Sequence, residues 1–168
     1  MRSSFVVTGA IVGILAGMVM AMYAMIASAT FLGQGFFTPL YGVASPFVGT
    51  EAMMTSMKQG LYFALAPALT GLLVHMMWSA LYGVIFGLIA SRLQLAGTAA
   101  GISGMVYGVA VMLVMSFIVL PIVGVGAMPG MIGWPSFTVE HLMFGLALGL
   151  WPAVRPADVM LQSTGATS

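Results

Sequence analysis

Cysteine is absent from this 168-residue chain, which removes disulfides, iron–sulfur clusters, thiolate zinc sites and cysteine nucleophiles, and leaves the redox compartment unreadable. Charge is scarce as well. Four basic and three acidic residues make up 4% of the chain, where a soluble protein carries roughly a quarter. A net charge of +1 offers no basic face to nucleic acid. There is no heptad pattern, no charge run and no polar low-complexity tract. Phosphate-binding loops, dinucleotide-binding glycines and zinc-protease patterns are also missing. Ser79 lies one helical turn from His75, but no positioned acid or oxyanion donor accompanies them, so the chain reads as non-enzymatic.

What is present is hydrophobic: 61% of the residues, with a mean hydropathy of +1.15. Such a chain has lipid as its solvent. Apolar runs place four helices over about 5–32, 61–90, 95–122 and 134–152, the last near the lower limit for a span. Backbone groups in lipid must be satisfied within the segment, and the runs lack the alternation of a barrel, so the expected fold is an all-α integral membrane four-helix bundle. Arg2 and the small residues Ala27, Ser28 and Ala29 mimic a secretory signal, yet the apolar stretch from Phe5 to Ile26 is too long for one.

The few charges orient the bundle. Arg2, Arg92 and Arg155 fall on one side, and Lys58, offset by Glu51, on the other. Basic residues collect on the cytoplasmic side of short loops, so both termini, including a tail over 153–168, are expected in the cytoplasm. The setting is then the plasma (inner) membrane of a prokaryote. Trp134, Phe137, Tyr62 and Phe63 would form an outer aromatic belt. The outer connections, 33–60 and 121–135, are apolar and glycine-rich; the first should lie on the interface, with Thr50 capping a short helix through Gln59 that carries Met53, Met54 and Met57 on one face.

Small residues recur at four-residue steps: Gly9, Gly13 and Gly17, then Ala21, on the first helix; Ser79, Gly83 and Gly87 on the second; Gly97 with Gly101 and Gly104 with Gly108 on the third; Gly145 with Gly149 on the fourth. Such stripes let helix backbones approach closely in lipid. The segment His75–Gly83 also aligns without gaps on His141–Gly149, each reading His, small at +4 and Gly at +8. The expected bundle is therefore two helix-hairpin repeats in parallel orientation. The stretch from Phe36 to Met57 and these His-x3-small-x3-Gly steps resemble small four-span membrane proteins of prokaryotes, a resemblance that brings no activity with it.

His75, Glu140 and His141 are ionisable residues expected in or near the apolar layer, where charge is costly. Counted from Arg92 and Arg155, the two histidines differ by only about 5 Å in depth at ~1.5 Å per residue. Glu140 and His141 are about 100° apart around their helix, so one of them is expected at a helix boundary or the interface. Seventeen methionines are a second anomaly, with Met18, Met22 and Met25 on one face of the first helix. Methionine is a flexible filler, although thioether and imidazole also suit Cu(I).

Three functions follow as expectations. The first is a non-catalytic accessory or scaffold subunit without a cofactor, packing through its glycine stripes against a second copy or a larger membrane complex. The second is a small-solute channel or transporter lined by His75, Ser79, Glu140 and His141. The third is a b-type haem or copper site on His75 and His141.

Overall fold

The computed structural model describes residues 2–153, and every regular element among them is helical. Four long helices, α1 (Arg2–Thr30), α4 (Leu65–Leu93), α5 (Gly97–Val114) and α8 (Trp134–Ala153), are accompanied by short ones: α2 (Thr38–Val48), α3 (Glu51–Ser56), α6 (Leu120–Ile122) and α7 (Met128–Ile132). Three stretches are long and apolar enough to cross a membrane: Val6–Thr30, Leu65–Leu93 and Gly97–Ile122. Their outward residues are apolar, including Val7, Ile11, Leu15, Leu73 and Val106, which suits lipid contact. Residues 154–168, with Arg155 and nearly all of the expected tail, lie outside the described residues.

Helix limits differ from the hydropathy pattern where side chains intervene. α4 begins at Leu65, because residues before it are held extended: the Tyr41 hydroxyl accepts the Ala64 N–H at 2.7 Å and donates to the Tyr62 carbonyl at 3.2 Å. At the other end Gln94 takes a left-handed φ of 49°, and Gly97 (φ 54°) starts α5 two residues after Leu95. α5 then passes without a break through a π-helical turn, Met115–Val119, into α6. Pro121 cannot donate to the helical ladder, and a widened turn in front of such a residue re-aims its side chains.

The first connection is more structured than its prolines suggest. α2 carries Pro39 in its first turn, where a missing N–H costs nothing. Pro46, further along, leaves the Gly42 carbonyl unserved by backbone, and the Ser45 hydroxyl donates to it instead at 2.8 Å. α3 has Thr50 at its N-cap position but no side-chain cap, and it ends at Ser56 rather than Gln59. The two connections are tied together: the Gln34 side-chain amide donates to the Met131 carbonyl at 3.0 Å.

α1 lies along α4, α5 along α8, and α8 along α1, while the α4 and α5 backbones stay apart and meet through Tyr82, Phe86 and Tyr107. α2 packs on α4 so closely that a Cβ on Gly71 would meet the Leu40 backbone. Two apolar clusters form the core. One, toward the Arg92 end, holds Ala16, Phe86, Ala90, Phe144 and Leu148. The other, under the connections, holds Met112, Leu120, Met128, Ile132 and Phe137. Phe137, expected in an aromatic belt, is 5% exposed and turned inward, whereas Trp134 and Phe63 are exposed.

Candidate functional site

Between the two clusters the bundle is not filled. A cavity of about 90 Å³ is lined by His75, Glu140 and His141 together with Met20, Met115 and Met128, and α2 closes it from above with Pro39, Leu40 and Val43. A smaller neighbouring space of about 50 Å³ adds Ser79, Trp78 and Tyr82 to the two histidines. All four residues of the expected polar cluster thus lie on adjoining cavities within an apolar bundle. Glu140 and His141 are both buried, at 3% and 4% exposure, and line the same space. Of the two positions expected for one of them, a helix boundary or the interface, burial excludes the interface: α8 is embraced by α1, α5 and the connections, so its buried face is wider than the 100° between neighbours.

Each group is held by a specific contact. His75 Nε2 donates to the Gly17 carbonyl of α1 at 3.0 Å, bridging two helices. His141 Nδ1 donates to the Phe137 carbonyl of its own helix at 2.8 Å, and the two rings pack 4.4 Å apart. Ser136 donates to one Glu140 oxygen at 3.3 Å. A neutral imidazole with one nitrogen donating keeps a lone pair on the other, so each histidine retains an acceptor. Ser79 donates to the His75 carbonyl at 2.8 Å, a back-bond within α4.

The glycine steps lie between helices of the same chain. A Cβ on Gly13 would stand 2.9 Å from the Gly83 Cα, and one on Gly9 would meet the Gly83 carbonyl at 2.7 Å. Between α5 and α8 a Cβ on Gly104 would stand 2.9 Å from the Gly149 Cα, and one on Gly145 at 2.9 Å from the Gly108 Cα. Gly17 faces the Ser79 side chain. Gly87 is buried in α4. Gly97 and Gly101 differ, because a Cβ on either would meet nothing within 4 Å. Sequence reasoning passed over Gly71, although it continues the four-residue step of Ser79, Gly83 and Gly87 through His75.

The methionines sort differently from their sequence grouping. Met18 and Met22 are exposed on α1, and Met54 on α3. Met20, Met115 and Met128, which no helical stripe had singled out, line the chamber with the histidines. The Tyr82 hydroxyl contacts the Met115 sulfur at 3.4 Å and so orients it, and Tyr107 donates to the Tyr82 carbonyl at 2.8 Å, joining α5 to α4. Among the described residues no three His, Asp or Glu side chains come together as a metal site.

Compared with protein-family models, with curated proteins and with solved structures, the chain matches none.

Proposed function

We propose that the chain is a four-helix membrane bundle, built as two helix-hairpin repeats in parallel orientation with both termini cytoplasmic, and that it works without catalysis by holding a small solute or ion in the chamber between His75, Glu140 and His141. The observation that carries this reading is the convergence of three ionisable side chains on one cavity inside an otherwise apolar bundle. Polar groups at such depth are costly and mark pathways or binding sites. α8 is taken as the fourth span because its 20 residues suffice for one and α1 and α5 flank it. The repeat is supported by equivalent crossings, Gly13 on Ser79 and Gly83 in one hairpin and Gly104 on Gly145 and Gly149 in the other. The setting that goes with this is a prokaryotic plasma membrane.

The chamber lies nearer the connections, and the Phe86–Phe144–Leu148 cluster fills the bundle toward the Arg92 end. A site reached from the connection side therefore fits better than a continuous pore. A space of about 90 Å³ suits an ion or a few-atom solute, and a porphyrin is much larger. The scaffold reading depends on glycine stripes being free for a partner. Here most of them serve the chain's own helices, Gly97 and Gly101 excepted, so a second copy or larger complex would dock mainly on the lipid-facing aliphatic surfaces instead.

Native mass spectrometry tests the proposal on protein taken from its own membrane in mild detergent. A small retained mass that disappears in Glu140→Gln and His141→Ala supports the chamber. A retained larger subunit, unaffected by either change, overturns it in favour of the scaffold.

A further inference from the structure

A second, larger cavity of about 160 Å³ opens between the two connections, walled by Met53 and Met57 from the α3 segment and by Met128 and Met131 from α7. Gly42, on its wall, leaves room for the Met128 methyl, and a Cβ there would also stand 3.7 Å from the Met53 sulfur and 3.8 Å from the Met128 sulfur, so two thioethers from elements far apart in sequence flank the same glycine. Methionine used as filler closes space; here four of them border space that stays open.

Three other polar wall residues are engaged with protein. Thr38 donates to Ser56 at 2.9 Å, Ser45 to the Gly42 carbonyl, and the Gln34 amide to the Met131 carbonyl. No charged side chain lines the cavity, so it offers little to a hydrated divalent ion. Thioether sulfur is a soft donor that selects Cu(I) over harder cations. Met128 also lines the deeper chamber, where Met115 and the two imidazoles continue a soft donor set and Glu140 provides a carboxyl group.

We propose that the outer cavity is a thioether site for a soft monovalent metal ion of the Cu(I) class, with Met53 and Met128 as the central ligand pair, and that Met128 passes the ion inward to the chamber of His75 and His141. This names the ion class for the chamber and rests on the reading that the chamber binds a solute. The ion is cargo, moved between ligands without change of oxidation state. Met57, one turn from Met53, lines the same cavity and is the candidate third sulfur.

The test titrates Ag(I), a redox-inert stand-in for Cu(I), into the detergent-solubilised full chain, with bound silver counted by native mass spectrometry and affinity read by calorimetry. Wild type should retain silver. The near-isosteric pair M53L/M128L should lose it while keeping helical circular dichroism and elution volume, and the exposed-methionine control M18L/M22L/M54L should bind as wild type does. H141A should still take silver at the outer site. Absence of silver binding by wild type overturns the inference, as does retention by M53L/M128L. The chamber reading is judged separately, by the small mass that protein isolated without added metal carries and that Glu140→Gln removes.

Discussion

His75 and His141 each open a His-x3-small-x3-Gly step, one in α4 and one in α8, yet they are held in different ways. In α1–α4 the imidazole crosses the seam to the Gly17 carbonyl. In α5–α8 it turns back to the Phe137 carbonyl of its own helix. The difference traces to one residue four places on. Ser79 puts a side chain into the first seam opposite Gly17, whereas Gly145 puts none into the second. There the backbones close until a Cβ on Gly108 would meet the His141 carbonyl itself, which leaves an imidazole no room to cross. One turn on, both seams close equally, Gly13 on Gly83 and Gly104 on Gly149, so the comparison teaches that a local difference at the Ser79 and Gly145 step goes with a different partner for each histidine.

The strongest way to break the comparison is to deny both seams their close approach. Gly13→Leu, Gly83→Leu or Gly145→Leu should abolish folded, monodisperse protein, since the obstructing atoms are backbone and cannot rotate away; the cost should exceed the ~3 kcal/mol typical of overpacking. Size-exclusion profiles and thermal unfolding in detergent would read it, and normal folding of all three would undo the packing account. Gly145→Ser, which gives the second seam the first seam's residue, should cost about 1–3 kcal/mol by the same measurement.

A smaller effect separates the two imidazoles. His75→Ala removes a bond between helices and should lower stability by about 1–2 kcal/mol, while His141→Ala removes only a bond within α8 and should cost less. A larger loss from His141→Ala would reverse that order. Tyr107→Phe removes the hydroxyl bond to the Tyr82 carbonyl between α5 and α4, with an expected loss of about 0.6 kcal/mol. Gly101→Ala should be neutral, because a methyl there meets open space; measurable destabilisation would show that the helices sit closer than described.

Much of this architecture was legible in the residues. Runs of apolar side chains place the long helices, because lipid demands that backbone groups be satisfied within the segment. Four-residue steps of Gly and Ser mark the faces where helices meet. α2 was harder to read, since Pro39 and Pro46 suggest an irregular connection; recognising it requires knowing that the Ser45 hydroxyl serves the carbonyl that Pro46 leaves empty. The chamber's methionines were harder still. Met20, Met115 and Met128 share no spacing along the chain, and a stripe such as Met18, Met22 and Met25 is visible to the eye while two of its members, Met18 and Met22, face outward.

The sequence by itself determined that the chain is helical, that three of its helices are long and apolar enough to cross a membrane, and which faces carry small residues. These are properties of local composition and period, and they need no knowledge of neighbours. Tertiary structure decided what those faces meet, that the apolar connections fold back as α2 and α7 over the bundle, and that Glu140 joins both histidines at one cavity. Those outcomes depend on distances between segments as remote as Met53 and Met128, set by the close approach of backbones, and periodicity along one helix carries no information about the gap to the next.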